Sequence, residues 1–538
     1  MNRSEMPRDQ LRTIDFLFAF SLAADLAMGL AAGHGVRATY IGMRLADRLQ
    51  LDQETRTDLF YAELLMDAGC TAWASQVAAK ILSDDIAARR ELFFFTDPRD
   101  PRDMIRWLAR HLATGQGLGT RARKMADFGV HGKEFMQEGL RNTSDVAARI
   151  AGRLGRSIEV QEALRLAFED WAASGSHNDS AAPAPLISRI LFATIFLEVF
   201  HQVQGREAAI RLARSRRGTT LDSDVVDAFM DLANDQSFWG GLESESVWDE
   251  VRRLEPESPY RYLSESRLDD VALAFADFAD LKSFYSAGHS RRVSTLAESM
   301  AKHLGQDSLD IKEIRRAALM HDIGLVAVPS FVLHRPESSL TAAEWESLRL
   351  HPYYAERILG RVPAFAPLVP LVVAHHERPD GQGFHRGISL GQIPPGACII
   401  AVADAFDELT HAAPERPALD VDAALRRLAQ GIGTRFTVGC FNALVWAVGK
   451  ESPADNARAE ADISSGDAVT TEWPAGLTDR EVDVLRLLST GASRRVMAKA
   501  LSVSEHTIRH HLEHIYSKID VHTRVAATLF AIEHNLLV

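Results

Sequence analysis

Seven side chains between positions 289 and 404 are of the types, and in the order, to hold metal ions: His289, His321, Asp322, His351, His375, His376 and Asp404. His321-Asp322 lies in the run Ala-Ala-Leu-Met-His-Asp-Ile-Gly, and His375-His376 in Val-Val-Ala-His-His-Glu-Arg. Imidazoles mixed with carboxylates suit first-row metals such as Fe, Mn or Zn. Seven ligands are too many for one ion and about right for a pair sharing a bridging carboxylate. Two metals roughly 3.5–4 Å apart are a device for hydrolysing phosphate esters, because they activate a water and neutralise charge in the transition state. A lone His-Asp pair arises easily by chance; the whole ordered set on apolar helices does not.

The elements that must position these ligands read as helices. Apolar residues recur with helical period through the chain, strand alternation is rare, and Thr341 with Glu344 reads as a helix capping box. The expected fold class is all-α.

The ligand set and its context resemble the HD-GYP family, a branch of the HD metal-dependent phosphohydrolases, over residues 268–449. The resemblance is carried by His289-Ser-Arg-Arg-Val, His321-Asp322-Ile-Gly, Leu340-Thr341-Ala-Ala-Glu344 with His351-Pro352, His375-His376-Glu377-Arg378-Pro-Asp380-Gly381-Gln-Gly383, and Ile399-Ile-Ala-Val-Ala-Asp404-Ala-Phe-Asp407. It implies a helical domain with two divalent metal ions (Fe, Mn or similar), the seven residues as ligands and Asp322 as the bridge. It also implies hydrolysis of cyclic di-GMP or a related phosphate ester. Arg378 and Arg416 would add positive charge at the substrate, and Asp380 or Asp407 would assist proton transfer beside Asp322. The sequence departs from the family at four places. Gly-Tyr-Pro is Gly383-Phe384-His385; the Lys after His-Asp-Ile-Gly is Leu325; the Glu that gives some members a third metal is Tyr285; and Arg-Pro-Tyr-Arg/Lys is Arg416-Pro417-Ala418-Leu419. Lost cations weaken the hold on a phosphate.

The first half of the chain repeats this domain in worn form. Asp15, Asp25, His34, Asp52 and Asp67 lie 255 positions before Asp270, Asp280, His289, Asp307 and Asp322. Further on the offset is 208, placing Thr143 opposite His351, Phe168 opposite His376 and Gly175 opposite Gly383. The offsets 255 and 208 differ by 47, which implies an insertion of that length, near residues 84–130. The ligand equivalents are His34, Met66, Asp67, Thr143, Ala167, Phe168 and, allowing one gap, Ile195, so this copy cannot hold the same metals. It reads as a scaffold, a dimerisation face or a ligand sensor. Residues 14–33 are apolar enough to suggest a membrane helix, but Asp15 and Asp25 oppose one, and the pattern recurs at 269–288. Both stretches read as buried helices, with no secretory signal or transmembrane segment expected.

A polar, acidic stretch over 450–473 reads as a flexible linker. Beyond it, Thr478 with Glu481 opens an amphipathic helix that Gly491 breaks. A short helix follows from Ser493 to Ala500, and Ser504 caps a third running to about Ile519. This spacing resembles the LuxR-type helix-turn-helix, on Leu477-Thr478-Asp-Arg480-Glu481, Gly491-Ala-Ser493, Ser504-Glu-His-Thr507-Ile508-Arg509-His-His511-Leu and Lys518-Ile-Asp-Val-His-Thr523-Arg524. The resemblance places Thr507, Arg509, His510 and Lys518 against DNA. Charge is nearly balanced here, eight Lys/Arg against seven Asp/Glu from Pro474 onward, and paired half-sites bound by a homodimer would offset that weakness.

The expected organisation is thus 1–240 a degenerate HD-GYP-like domain, 241–267 a connector, 268–449 the metal-binding domain, 450–473 the linker and 474–538 a four-helix LuxR-type domain. The three cysteines, Cys70, Cys398 and Cys440, lack ligand spacing and suggest a reducing cytoplasm. The expected function is a cytoplasmic transcription regulator whose central domain acts on or senses a cyclic dinucleotide. The alternatives are a non-enzymatic nucleotide or metal receptor, and a dimerisation scaffold for the DNA-binding domain.

Overall fold

A computed structural model describes residues 11–97, 100–168, 184–258, 261–384, 386–414, 416–449 and 473–537. Gly175, His385 and the linker positions 450–472 lie outside them. The described residues form helices joined by turns, with isolated β-bridges such as Arg12–Tyr262 and no named strand. The all-α expectation holds.

The chain divides into two compact units. The first comprises residues up to Phe278 together with Leu325–Leu333 and Arg357–Phe365. Its opening helix, Thr13–Met28, is buried on nearly every face, which accounts for its continuous apolar sequence. It ends at Gly29, whose φ of 66° is a left-handed value suited to glycine. Leu186–Gln204 is the one helix among the described residues long and apolar enough to cross a bilayer. Of its apolar window 72% is buried inside this unit, and its polar groups have partners there: Ser188 donates to the Ala163 carbonyl at 2.9 Å and Thr194 to Glu63 at 3.0 Å.

The expected insertion shares a core with the residues just before it. Trp107, Leu112 and Phe128 pack with Trp73, Val77, Ile81 and Leu92. Trp107 Nε1 donates to the Ala88 carbonyl at 3.0 Å, which satisfies the indole where it is buried. A single π-turn over Glu91–Phe95 carries the three consecutive phenylalanines.

The second unit comprises Ala279–Gly324, His334–Glu356 and the residues from Ala366 onward. In it His289–His303 packs on Ser308–Met320, Pro395–Thr410 and Val438–Ala447. The Thr341/Glu344 capping box is formed in both directions. Near the C-terminus, helices Asp479–Ser489, Arg494–Ala500, Glu505–Lys518 and Arg524–Glu533 enclose a core of Val482, Leu485, Leu488, Met497, Ile508, Ile515 and Ala527. Each helix has a side-chain N-cap: Thr478, Ser493, Ser504 and Thr523.

Candidate metal centre

The seven expected ligands converge within the second unit. His289, His321 and Asp404 form one group, and Asp322, His351, His375 and His376 another, with the ligand atoms of each group within 4.8 Å of one another. Helix ends deliver three of them. His289 opens His289–His303, His321 closes Ser308–Met320, His351 opens His351–Leu359, and Asp404 lies inside Pro395–Thr410. Gly324 explains the Gly of His-Asp-Ile-Gly: a Cβ there would lie 1.8 Å from the His351 carbonyl oxygen.

Asp322 joins the two groups. Its Oδ2 lies 3.6 Å from His289 Nε2 and 3.5 Å from His321 Nε2, while its Oδ1 lies 3.5 Å from His351 Nε2 and 3.8 Å from His375 Nε2. Asp404 Oδ1 adds a second carboxylate 3.2 Å from His289 Nε2.

The far ring nitrogens are anchored. His321 Nδ1 donates to the Ala318 carbonyl and His351 Nδ1 to that of Leu348, both at 2.8 Å; His375 Nδ1 donates to Val372. Nδ1 anchoring leaves Nε2 to take a cation, and such partners fix ligand orientation. The donor set therefore fits a pair of divalent ions.

Electrostatics divide the site. Burial disfavours charge on His289, but the carboxylates of Asp404 and Asp407 overrule it and raise the imidazole well above its ordinary value. His321, also opposed by burial, is lifted to about 9 by Asp322 and Asp404. Burial and then the neighbouring imidazoles push His375 down to about 3 and His376 well below the usual range. Neighbours that favour a positive imidazole favour a divalent cation for the same reason, and its binding would release protons.

Other expected residues are engaged elsewhere. Asp407, expected to assist proton transfer, accepts from Arg292 at 2.7 and 3.0 Å and lies 2.8 Å from His289 Nδ1. Although burial opposes ionisation, His289 and Arg292 hold its carboxyl down at about 2, which suits an orienting anion rather than a proton carrier. Arg416, expected at the substrate, donates to the carbonyls of Glu408, Leu409 and His411 and so caps Pro395–Thr410. Asp380 accepts from Arg378 at 2.5 Å and from the Gln382 amide at 3.0 Å, which ties both expected residues into one loop.

Two residues given no role in the sequence reading, Phe384 and Glu377, shape the same loop. Phe384 stacks on His376 at 4.3 Å between centroids and meets His351 edge-on. Glu377 accepts from the amides of Arg386 and Ile388, and Gly383 fits because a Cβ would lie 2.6 Å from the Glu377 Cα.

The first unit keeps the supports of such a centre, with His34 and Asp67 but without the other ligand types. His34 Nδ1 contacts Glu198, and Arg37 Nε donates to Glu198 at 2.5 Å, matching the His289–Asp407–Arg292 arrangement. Asp25 accepts from the amides of Gly33, His34 and Gly35, as Asp280 accepts from Ser290. Comparing ligands alone overlooks Arg37 and Glu198, although the repeat offset sets Arg37 opposite Arg292. Aromatic rings fill the ligand side: Phe93 packs on Phe168 and Phe196, and Phe94 on Phe196 and His34.

In the DNA-reading region Arg509 pairs with Glu513 at 2.8 Å, and both it and His510 are exposed. Thr507 Oγ1 lies 2.8 Å from Ser504 Oγ at the helix cap. Lys518, expected against DNA, donates to Glu481 at 2.6 Å and to the Gly476 carbonyl at 2.9 Å, bracing the domain.

Residues 274–437 match the model of the HD domain, and 475–531 match that of the bacterial regulatory proteins of the luxR family. The chain is 30% identical over 431 residues, 80% of its own length and 93% of the other's, to 3'3'-cGAMP-specific phosphodiesterase 3 of Vibrio cholerae. The chain belongs to the HD-GYP family. A crystal structure of cyclic GMP-AMP specific phosphodiesterase from V. cholerae superimposes with a TM-score of 0.55 at 27% identity, covering 81% of this chain and 98% of that one. The cyclic di-GMP phosphodiesterase response regulator RpfG of Xanthomonas campestris is 37% identical over 156 residues, 29% of this chain and 41% of that protein. The 431-residue alignment extends well outside 274–437, so the V. cholerae likeness reaches beyond the HD domain itself. The HD-GYP protein thus joins a phosphodiesterase-like domain to a LuxR-type helix-turn-helix.

Proposed function

We propose that the central site is a dinuclear centre hydrolysing a 3',3'-cyclic dinucleotide, cyclic di-GMP or cyclic GMP-AMP, in a cytoplasmic, homodimeric transcription regulator. The observation that carries this reading is Asp322, whose two carboxylate oxygens face two separate groups of ligands. His289, His321 and Asp404 would hold one ion, His351, His375 and His376 the other, and Asp322 would bridge them. Such a pair, when bound, supplies Lewis acidity to the phosphate oxygens and an activated water for in-line attack. Asp407 and Arg292 keep His289 aimed, and Phe384 offers an apolar face beside His376. Asp380 and Arg378, paired on the adjoining loop, are the groups left to meet substrate and carry a proton.

DNA reading falls to the helix Glu505–Lys518, with Arg509 and His510 exposed on it. Phe284, five positions before His289, supports coupling of the two activities: a side chain on Gly491 would come within 3.0 Å of its ring.

The test is turnover. Metal-loaded protein is incubated with each cyclic dinucleotide and the products are separated. A linear dinucleotide made by wild type and not by Asp322→Ala supports the enzyme. Metal and nucleotide retained without cleavage would establish a receptor, a reading favoured by the commitment of Arg416 to backbone carbonyls.

A further inference from the structure

His506, His510 and His514 recur every fourth residue along Glu505–Lys518 and form a stripe on its exposed side, whereas Ile508 and Ile515 are buried in the domain core. The His510 and His514 rings lie 5.0 Å apart and those of His506 and His510 6.1 Å. In the central site His289–His321, His351–His375 and His321–His375 are 5.2, 5.2 and 5.0 Å apart. The spacing of His510 and His514 is close to the 5.2 Å of His289–His321 and of His351–His375, the pairs assigned above to one cation each. A carboxylate stands beside them: Glu513 Oε2 lies 3.7 Å from His510 Nδ1, while Arg509 holds Oε1 at 2.8 Å.

We propose that His510 and His514, with Glu513 alongside, form a second metal site on the DNA-reading helix, taking a divalent cation such as Ni²⁺ or Zn²⁺. Two imidazoles one helical turn apart are a recurrent metal-binding unit, and imidazole suits Zn, Cu and Ni. The helix already holds both rings on one face, so little ordering is needed. Water completes the coordination of a cation held by the two imidazoles. His510 cannot ligate a cation and meet a base edge with the same nitrogen, so cation and DNA compete, and by linkage each weakens the other. The metal site stands on its own geometry; the competition rests on the DNA-reading role proposed above.

The experiment measures Ni²⁺ uptake by the full chain, in wild type and in a variant carrying His510→Ala with His514→Ala. Both proteins are also made in the Asp322→Ala background, so that ions of the central site are accounted for separately. Wild type is expected to take up about one more Ni²⁺ per chain than the variant in both backgrounds. A saturating DNA duplex at low salt is expected to weaken that extra ion at least tenfold. Equal uptake by wild type and variant overturns the site. An extra ion indifferent to bound duplex overturns the competition. Failure to bind any duplex overturns the DNA-reading role instead, and the uptake difference still decides the metal site.

Discussion

Asp407 lies 2.8 Å from Nδ1 of His289, on the side of the ring away from Asp322, which stands 3.6 Å from Nε2. Asp407 thereby orients a ligand without reaching the reacting atoms. Asp407→Ala should leave the fold intact and lower metal affinity about 10–100-fold, the usual cost of losing such a support. Competition with a chromogenic chelator measures it. Unchanged affinity would remove the orienting role.

Gly324 has no room for a side chain against the His351 carbonyl. Gly324→Ala must push the start of His351–Leu359 away from Asp322. The expected loss is about 1–3 kcal/mol of stability, as in other overpacked sites. Metal binding should weaken with it. Thermal unfolding followed by circular dichroism, with and without metal, checks both.

The seven candidate ligands are legible in the sequence as an ordered set of imidazoles and carboxylates that matches the HD-GYP pattern, and the structure brings them together in two groups. Asp407 and Arg416 could not be assigned this way. A carboxylate one turn after a ligand can face the metal or the back of an imidazole, and only packing decides which. Arg416 lies where a phosphate contact was expected, but unsatisfied carbonyls at the end of Pro395–Thr410 claim it first. The helix-turn-helix was legible almost to the residue, since its caps are local signals: Ser493 and Ser504 accept from Val496 and Thr507. Lys518 has a partner that no local signal announces, since Glu481 is 37 positions away.

The buried His34–Glu198 contact should make the first unit sensitive to alkali. Burial opposes a charge on His34, but Glu198 and then Asp67 raise it from 6.5 to about 9. The folded state thus holds a proton that the unfolded chain gives up. That stability is complete below about pH 6.5 and lost as pH rises through about 9. Burial likewise raises Asp25 from 3.8 to about 7, with the same sign in a lower window. Thermal stability should fall by several degrees from pH 6.5 to 9. Glu198→Gln should flatten that slope while lowering stability at neutral pH; an unchanged slope would show that His34 does not carry it.

Arg509 and Lys518 should separate on substitution. Arg509→Ala removes an exposed fork that, among the described residues, pairs only with its helix neighbour Glu513, and should weaken duplex binding by about 1–3 kcal/mol with little effect on melting. Lys518→Ala removes the brace to Glu481 and Gly476 and should lower the melting temperature of the C-terminal helices. Fluorescence anisotropy with calorimetry on the full chain distinguishes the two. A stable Lys518→Ala protein that fails to bind DNA would return that residue to the interface.

The most direct test of the bridged centre is the metal content of wild type and Asp322→Ala, measured with cyclic dinucleotide turnover on the same samples. Wild type should carry about two ions per chain and cleave, because Asp322 serves both groups of ligands. The variant should lose tight binding of the pair and all cleavage. An Asp322→Ala protein that still held two ions and still opened the cyclic dinucleotide would contradict the bridge.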